Sequence, residues 1–332
     1  MCKIVAPRMD SLPNPYIHNL IFAHPASKDG DSDIWAFLHL VPSIRVLSLF
    51  GLDKENSLSV TSLDPLSSQM QIPFRTLERL SLMKILAEDI PKIIACIKAS
   101  SRRLAKDGLT LSLTHFKLEV IGGIEDELFD LINALSTSPI CYLTLIGIYD
   151  IDPTHVEFIA DFLPHLVSLT LFNQTWGQIT LKPVTWKHPT WAYAAALSRF
   201  KQLQHFGWNY CVQFMRISPC VLIELATGQY RKVSSPSLFQ GLHPDEVNAP
   251  NDRDSLDGDV FGERESVVRL FAAHCPTLTS MSLECQHLKT LYSAVYIIRR
   301  SGRGIVEVER GAGYTAYHHN PTPPFSKSWH EM

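Results

Sequence analysis

Apolar positions recur along the chain in one local spacing, apolar-x-x-apolar-x-apolar. It occurs at Ile17/Leu20/Phe22, Ile44/Leu47/Leu49, Leu77/Leu80/Leu82, Leu113/Phe116/Leu118, Ile140/Leu143/Leu145, Leu166/Leu169/Leu171, Leu203/Phe206/Trp208 and Leu278/Met281/Leu283. The last two apolar residues of each triplet are two apart, so on a strand they share one side, and the residues between and around them take the other. Helical periodicity precedes several triplets: Ile34–Leu38, Ile90–Ala105, Glu125–Leu135, a run opened by Asp152-Pro153-Thr154, Ala192–Phe200 and Glu265–His274. A strand period coming out of a helical period is one coil of an α/β repeat. One coil cannot bury its own apolar face, so neighbours must stack.

The middle residues of the triplets, at 20, 47, 80, 116, 143, 169, 206 and 281, are separated by 27, 33, 36, 27, 26, 37 and 75 residues. The first six intervals are near the length of a long leucine-rich repeat, and the last spans about two. The pattern predicts a right-handed α/β solenoid of leucine-rich-repeat type, a horseshoe with a parallel concave sheet and outer helices. It runs over 12–310 with loop insertions near 57–71, 173–191 and 234–262, behind an N-terminal extension over 1–11. Residues 292–299 and 305–309 flank Ser301-Gly302-Arg303-Gly304, which predicts a C-terminal hairpin cap. Residues 311–332 are expected as a flexible tail.

Stacked in this way, the coils present the alternate strand residues as a ribbon on the concave face. Phe50, Met83, Tyr142, Ile146 and Phe172 are expected there as apolar contacts. His115, Lys117, Glu119, His205 and Asn209 are expected as polar ones. Contiguous aromatic and Met side chains on an open sheet face mark a protein-binding surface. The competing reading is that a long loop, 176–191 or 234–262, folds back and covers them, and the Trp176/Trp186/Trp191 cluster has the same two readings.

Composition narrows the chemistry. Hydrophobic residues make up 45% and charged residues 19%, enough apolar material for a large core, and a net charge of −3 gives no electrostatic case for nucleic acid. No segment reaches the length of a membrane span, and neither a span nor a signal peptide is expected. The seven cysteines are scattered without C-x-x-C pairs, which fits reduced thiols in the cytoplasm or nucleus. The acidic loop from Asp252 to Gly258 misses the calcium-binding spacing: Leu256 occupies a ligand position and the glycine is one place late. Gly302-x-Gly304 and Gly311-x-Gly313 lack the third glycine of a dinucleotide fingerprint, His318-His319 lies in a proline-flanked tail, and neither a nucleophile elbow nor a P-loop occurs. No cofactor, metal or catalytic residue is assigned.

The P-x-L-x-x-L-x-L units at Pro42–Leu49, Pro139–Leu145, Pro164–Leu171 and Pro276–Leu283 resemble those of fungal F-box/leucine-rich-repeat proteins, especially the divergent families of mushroom-forming fungi. The likeness runs over roughly 12–310. The resemblance implies a non-enzymatic protein-interaction scaffold, the substrate-recognition repeats of a ubiquitin-ligase receptor. Its partner would be a protein target on the concave face, and the Skp adaptor of a cullin ligase would bind only if an F-box lies upstream. Leu12-Pro13 with Ile21-Phe22 echoes an F-box start, but Lys28-Asp29-Gly30-Asp31 and another repeat stand where its helices belong. The chain departs again three residues after each triplet, where Leu52, Ile85, Ile121 and Ile148 replace the asparagine of regular repeats, so irregular turns are expected. The alternative is a leucine-rich-repeat regulator of a small GTPase, which would need an exposed Arg or Asn at the repeat edge.

Overall fold

The computed structural model describes residues 19–24, 43–51, 74–149, 151–173, 186–188, 190–211, 265, 267–287, 290–301, 306–311 and 315–317. The expected insertions over 57–71 and 234–262, the helix over 34–38, the N-terminal extension, Trp176 and the acidic loop lie outside them. The chain divides into two compact units, residues 1–121 with 133–140 and residues 122–132 with 141–332, where the sequence pattern leads one to expect a single continuous run.

In the first unit, β1 (Asn19–His24), β2 (Val46–Gly51), β3 (Arg79–Leu86) and β4 (His115–Ile121) pair in parallel. The register aligns the triplets: Leu20, Leu47, Leu80 and Phe116 are successive partners, and so are Phe22, Leu49, Leu82 and Leu118. Leu47, Leu80 and Phe116 are fully buried. Helix α1 (Ile90–Lys106) buries Ile90, Ile93, Ile94, Ile97 and Leu104, the stripe its periodicity predicts. It ends as its sequence dictates. Gly108 adopts φ 69°, its N–H donates to Ala105 O, and Leu109 N–H donates to Leu104 O, closing a Schellman motif.

In the second unit, β5 (Tyr142–Ile146), β6 (Ser168–Phe172), β7 (His205–Cys211) and β8 (Ser280–His287) are parallel, with Leu143, Leu169, Phe206 and Met281 in one register column. Helices α2 (Glu125–Leu135, whose end at 133–135 groups with the first unit), α3 (Pro153–Phe162), α4 (Thr190–Ala196) and a last helix, α5, over 267–274 supply the apolar stripes. Phe271 meets Phe206 and Trp208 at ring-centroid distances of 5.1 and 5.6 Å, and Tyr193 meets Trp208 at 5.0 Å, so the leucine side of this sheet is closed by rings from two helices.

Among the described strands, antiparallel pairing begins at β8. β9 (Thr290–Arg300) runs antiparallel beside β8, and β10 (Val306–Arg310) returns along β9, giving the expected hairpin. β11 (Thr315–Tyr317) also pairs with β9, inside the stretch expected as tail.

One local geometry repeats at the start of every coil for which it is described. The carbonyl after the first apolar residue accepts two consecutive N–H groups from the next coil. Arg45 O takes Glu78 and Arg79, and Glu78 O takes Thr114 and His115. In the second unit Cys141 O takes Val167 and Ser168, Val167 O takes Gln204 and His205, and Gln204 O takes Thr279 and Ser280, all at 2.8–3.1 Å. Hydroxyls add to this stitching: Thr76 Oγ1 donates to Ile44 O at 2.9 Å and Thr277 Oγ1 to Leu203 O at 2.7 Å, the same position in two coils.

The turns are uneven, as the missing asparagines imply. Ile85 and Ile148 fill those places as buried apolar residues, β3 shifts register between Leu82 and Ile85, and Lys84 takes φ 58° there. Gly207 on β7 is required by packing. A Cβ there would lie 2.7 Å from Thr170 Oγ1 and 2.8 Å from its Cγ2. Gly207→Ala should therefore cost about 1–3 kcal/mol by overpacking. Adding Thr170→Ala should restore most of the loss in a double-mutant cycle of urea unfolding.

Candidate functional site

The face of each sheet opposite the leucines carries the residues that the sequence marks as contacts, and burial varies strongly along it. In the first unit the rows are Arg79 beside His115 and Ser48–Ser81–Lys117, with Met83 and Glu119 beyond. Arg79 and Met83 are half-buried, whereas Ser81, His115, Lys117 and Glu119 are buried, Glu119 completely. Burial, helped by the charge of Arg79, pushes the His115 imidazole down to about 4, so the ring is neutral at physiological pH. Thr114 Oγ1 lies 2.8 Å from its Nδ1. Burial also lowers the Lys117 ammonium, against an opposing pull from the Glu119 carboxylate two residues along the same strand face.

In the second unit the gradient runs from one end of the strands to the other. The first row, Tyr142–Ser168–His205–Ser280–Ile297, is open: His205 and Ile297 are exposed and the others half-buried. The next row, Thr144–Thr170–Gly207–Ser282–Val295, is half-closed. At the far end Ile146, Phe172, Asn209 and Glu284 are all buried. There Asn173 N–H donates to Asn209 Oδ1 at 2.8 Å, Asn173 Nδ2 donates to Tyr149 O at 3.2 Å, and Asn209 and Glu284 are register partners. Glu284 Oε2 has no hydrogen-bond partner, and burial raises its carboxyl to about 8.

The expected contact residues therefore separate. Met83 and Tyr142 are half-buried and His205 is exposed. His115, Lys117, Glu119, Ile146, Phe172 and Asn209 are enclosed in this conformation. Phe50 is placed on β2, but its side chain lies outside the described residues. One contributor to the open row, Ile297, is not marked by the sequence: it sits on β9, which sequence reading assigns only to a hairpin. Of the Trp cluster, Trp186 is half-buried and packs against the core. It stacks on Trp208 at 3.7 Å between centroids and donates its indole N–H to Asn209 O.

The open row holds a close pair, His205 Nδ1 and Ser280 Oγ at 2.7 Å. They are direct cross-strand neighbours, and such a hydrogen bond is what adjacent strands ordinarily make. Catalysis would also require a group orienting the imidazole and donors for an oxyanion. The described free thiols are Cys96, Cys141 and Cys275. Burial raises Cys96 to about 12 and lifts Cys275 as well, so neither is a thiolate at neutral pH. Among the described residues no group of three His, Cys, Asp or Glu side chains is placed to hold a metal, and no helix is long and apolar enough to cross a membrane. No family model, curated protein or solved structure matches the chain.

Proposed function

We propose that the chain is a non-enzymatic protein-binding scaffold built as an irregular leucine-rich-repeat solenoid, related in design to the substrate-recognition repeats of F-box ubiquitin-ligase receptors. The observation that carries this reading is the entry turn repeated five times, one carbonyl taking two N–H groups from the next coil. A repeated stitch of this kind sets strand after strand side by side and generates an extended side-chain ribbon, which is the working surface of repeat proteins. The open row of the second unit, which includes Tyr142 and His205, is a part of that ribbon available to a target. Tyr142 supplies an aromatic anchor and His205 a polar rim.

The test is quantitative affinity purification with the wild-type chain and with Tyr142→Ala/His205→Ala, both checked for unfolding midpoint. The reading expects a defined set of partners whose recovery falls about tenfold or more in the variant, as hot-spot truncation implies. Unchanged recovery of every partner would refute binding through this row. Stimulated hydrolysis by a small GTPase on addition of the chain would favour the regulator alternative instead.

A further inference from the structure

The open row of the second unit and the row behind it cross five strands without an Asp, Glu, Lys or Arg. Tyr142, Ser168, His205, Ser280 and Ile297 are register neighbours in the first; Thr144, Thr170, Gly207, Ser282 and Val295 are neighbours in the second. The first unit differs, since its rows include Arg79 and Lys117. His205 adds no charge at neutral pH. Partial burial holds its imidazole below the ordinary value, and its Nδ1 lies 2.7 Å from Ser280 Oγ.

The strands themselves bring few charges near these rows. β5, β6 and β7 contain no Asp, Glu, Lys or Arg, and the exposed Lys201 stands in the turn ahead of β7. β8 has Glu284, enclosed and protonated at pH 7. β9 ends in Arg299 and Arg300. Arg299 lies 2.8 Å from Glu309, the register partner of Ile297, and Arg300 donates to the carbonyls of Ala272, Cys275 and Leu278. A charge pressed onto the two rows would lose water and meet no opposite charge, a larger cost than for a neutral hydrogen-bonding group. Hydroxyls both donate and accept, so Tyr142, Thr144, Ser168 and Ser282 suit neutral amides and carbonyls.

Length adds a second constraint. Tyr142 on β5 and Ile297 on β9 end the open row four strand spacings apart, which is about 19 Å. An extended chain covers that distance in about six residues.

Resting on the scaffold reading, we propose that the target presents an extended, uncharged protein segment that lies across β5 to β9. One apolar or aromatic residue of the segment meets Tyr142, and another about six positions away meets Ile297. Neutral polar groups between them face the hydroxyls and His205.

The probe is a random twelve-residue phage-displayed peptide library, panned on the full chain and counter-selected on Tyr142→Ala/His205→Ala. The retained pool should be depleted of Asp, Glu, Lys and Arg and should carry paired apolar residues about six apart. The most enriched peptide, synthesised and labelled, should change affinity less than about twofold between 0.1 and 0.5 M salt. Ile297→Ala should weaken it about tenfold. Ser168→Glu and Ser168→Lys should each weaken it at least about tenfold, and Ser168→Ala much less, because a charge of either sign is desolvated there. Unchanged unfolding midpoints check that the variants fold. No enriched pool, or one retained equally by Tyr142→Ala/His205→Ala, refutes binding through the row and with it the scaffold reading's choice of surface. A row-dependent pool with a recurrent acid or base, a steep salt dependence, or weakening by only one sign of charge at Ser168 overturns the uncharged segment alone.

Discussion

Replacing Glu284 with Gln should remove a loss of stability that the wild-type protein suffers between about pH 4.5 and 8. Glu284 is buried on β8 beside Asn209, one of its oxygens lacks a hydrogen-bond partner, and its carboxyl is raised from 4.5 to about 8 by burial. The folded protein therefore keeps the proton at pH 7, while the unfolded chain releases it above 4.5. Folding must take a proton up in this window, so the contribution is fully present below about 4.5, declines as pH rises, and is lost above about 8. With roughly 1.4 kcal/mol per pKa unit, the change is on the order of 5 kcal/mol. Urea melts across pH 4.5–8.5 should show Glu284→Gln matching wild type within about 1 kcal/mol at the acid end and exceeding it by several kcal/mol at the basic end. Parallel curves would show that the carboxyl is solvated. The difference between the two proteins is the right quantity, because His115 acts with the opposite sign. Its imidazole is held down to about 4, so its contribution is present above about 6.5 and lost as pH falls toward 4.

Leu169→Ala should cost about 3 kcal/mol, within the 2–5 kcal/mol range for a buried leucine that leaves a cavity. Leu169 is fully buried on β6 and sits between Leu143 and Phe206 in one register column, so no neighbouring side chain is placed to collapse into the gap without breaking that alignment. Leu109→Ala is the matched control, since Leu109 is 42% exposed and should change stability by about 0.5 kcal/mol or less. Denaturant unfolding of both variants checks the pair. A cost near that of the control would mean that the column is not packed.

How far the sequence was legible follows from these same residues. The leucine triplets give the strands away because a spacing of two fixes a face, and all eight triplets fall at parallel strands with their middle residues aligned within each unit. The helices over 90–106, 125–135 and 153–162 were equally plain, each announced by an apolar stripe or by proline in its first turn. The pairing of β9 with β8 was not: β9 reads Thr-Leu-Tyr-Ser-Ala-Val-Tyr-Ile-Ile, expected as one strand of the hairpin with β10, and nothing in that alternation says that β8 pairs with it as well. The site was harder than the fold. Strand alternation assigns His115, Lys117, Glu119, Ile146, Phe172 and Asn209 correctly to the face away from the leucines, but a period of two says nothing of what lies over that face. Half-burial of Tyr142 and exposure of His205, and enclosure of Ile146 and Asn209 further along the same two strands, is a tertiary fact without a local signature. The contact of Phe129 on α2 with His155 and Phe158 on α3 has no local signature for a similar reason, because two helices must pack before their rings meet.

The central claim is that successive coils place their strands side by side in parallel register, and methyl–methyl NOEs on a deuterated, leucine-methyl-labelled sample test it most directly. β5 and β6 parallel in this register put Leu143 next to Leu169 and Leu145 next to Leu171, so those two cross-peaks should be strong and the diagonal pairs weak. Strong Leu143–Leu171 and Leu145–Leu169 cross-peaks in their place would mean antiparallel strands, and the repeat account would fall with them.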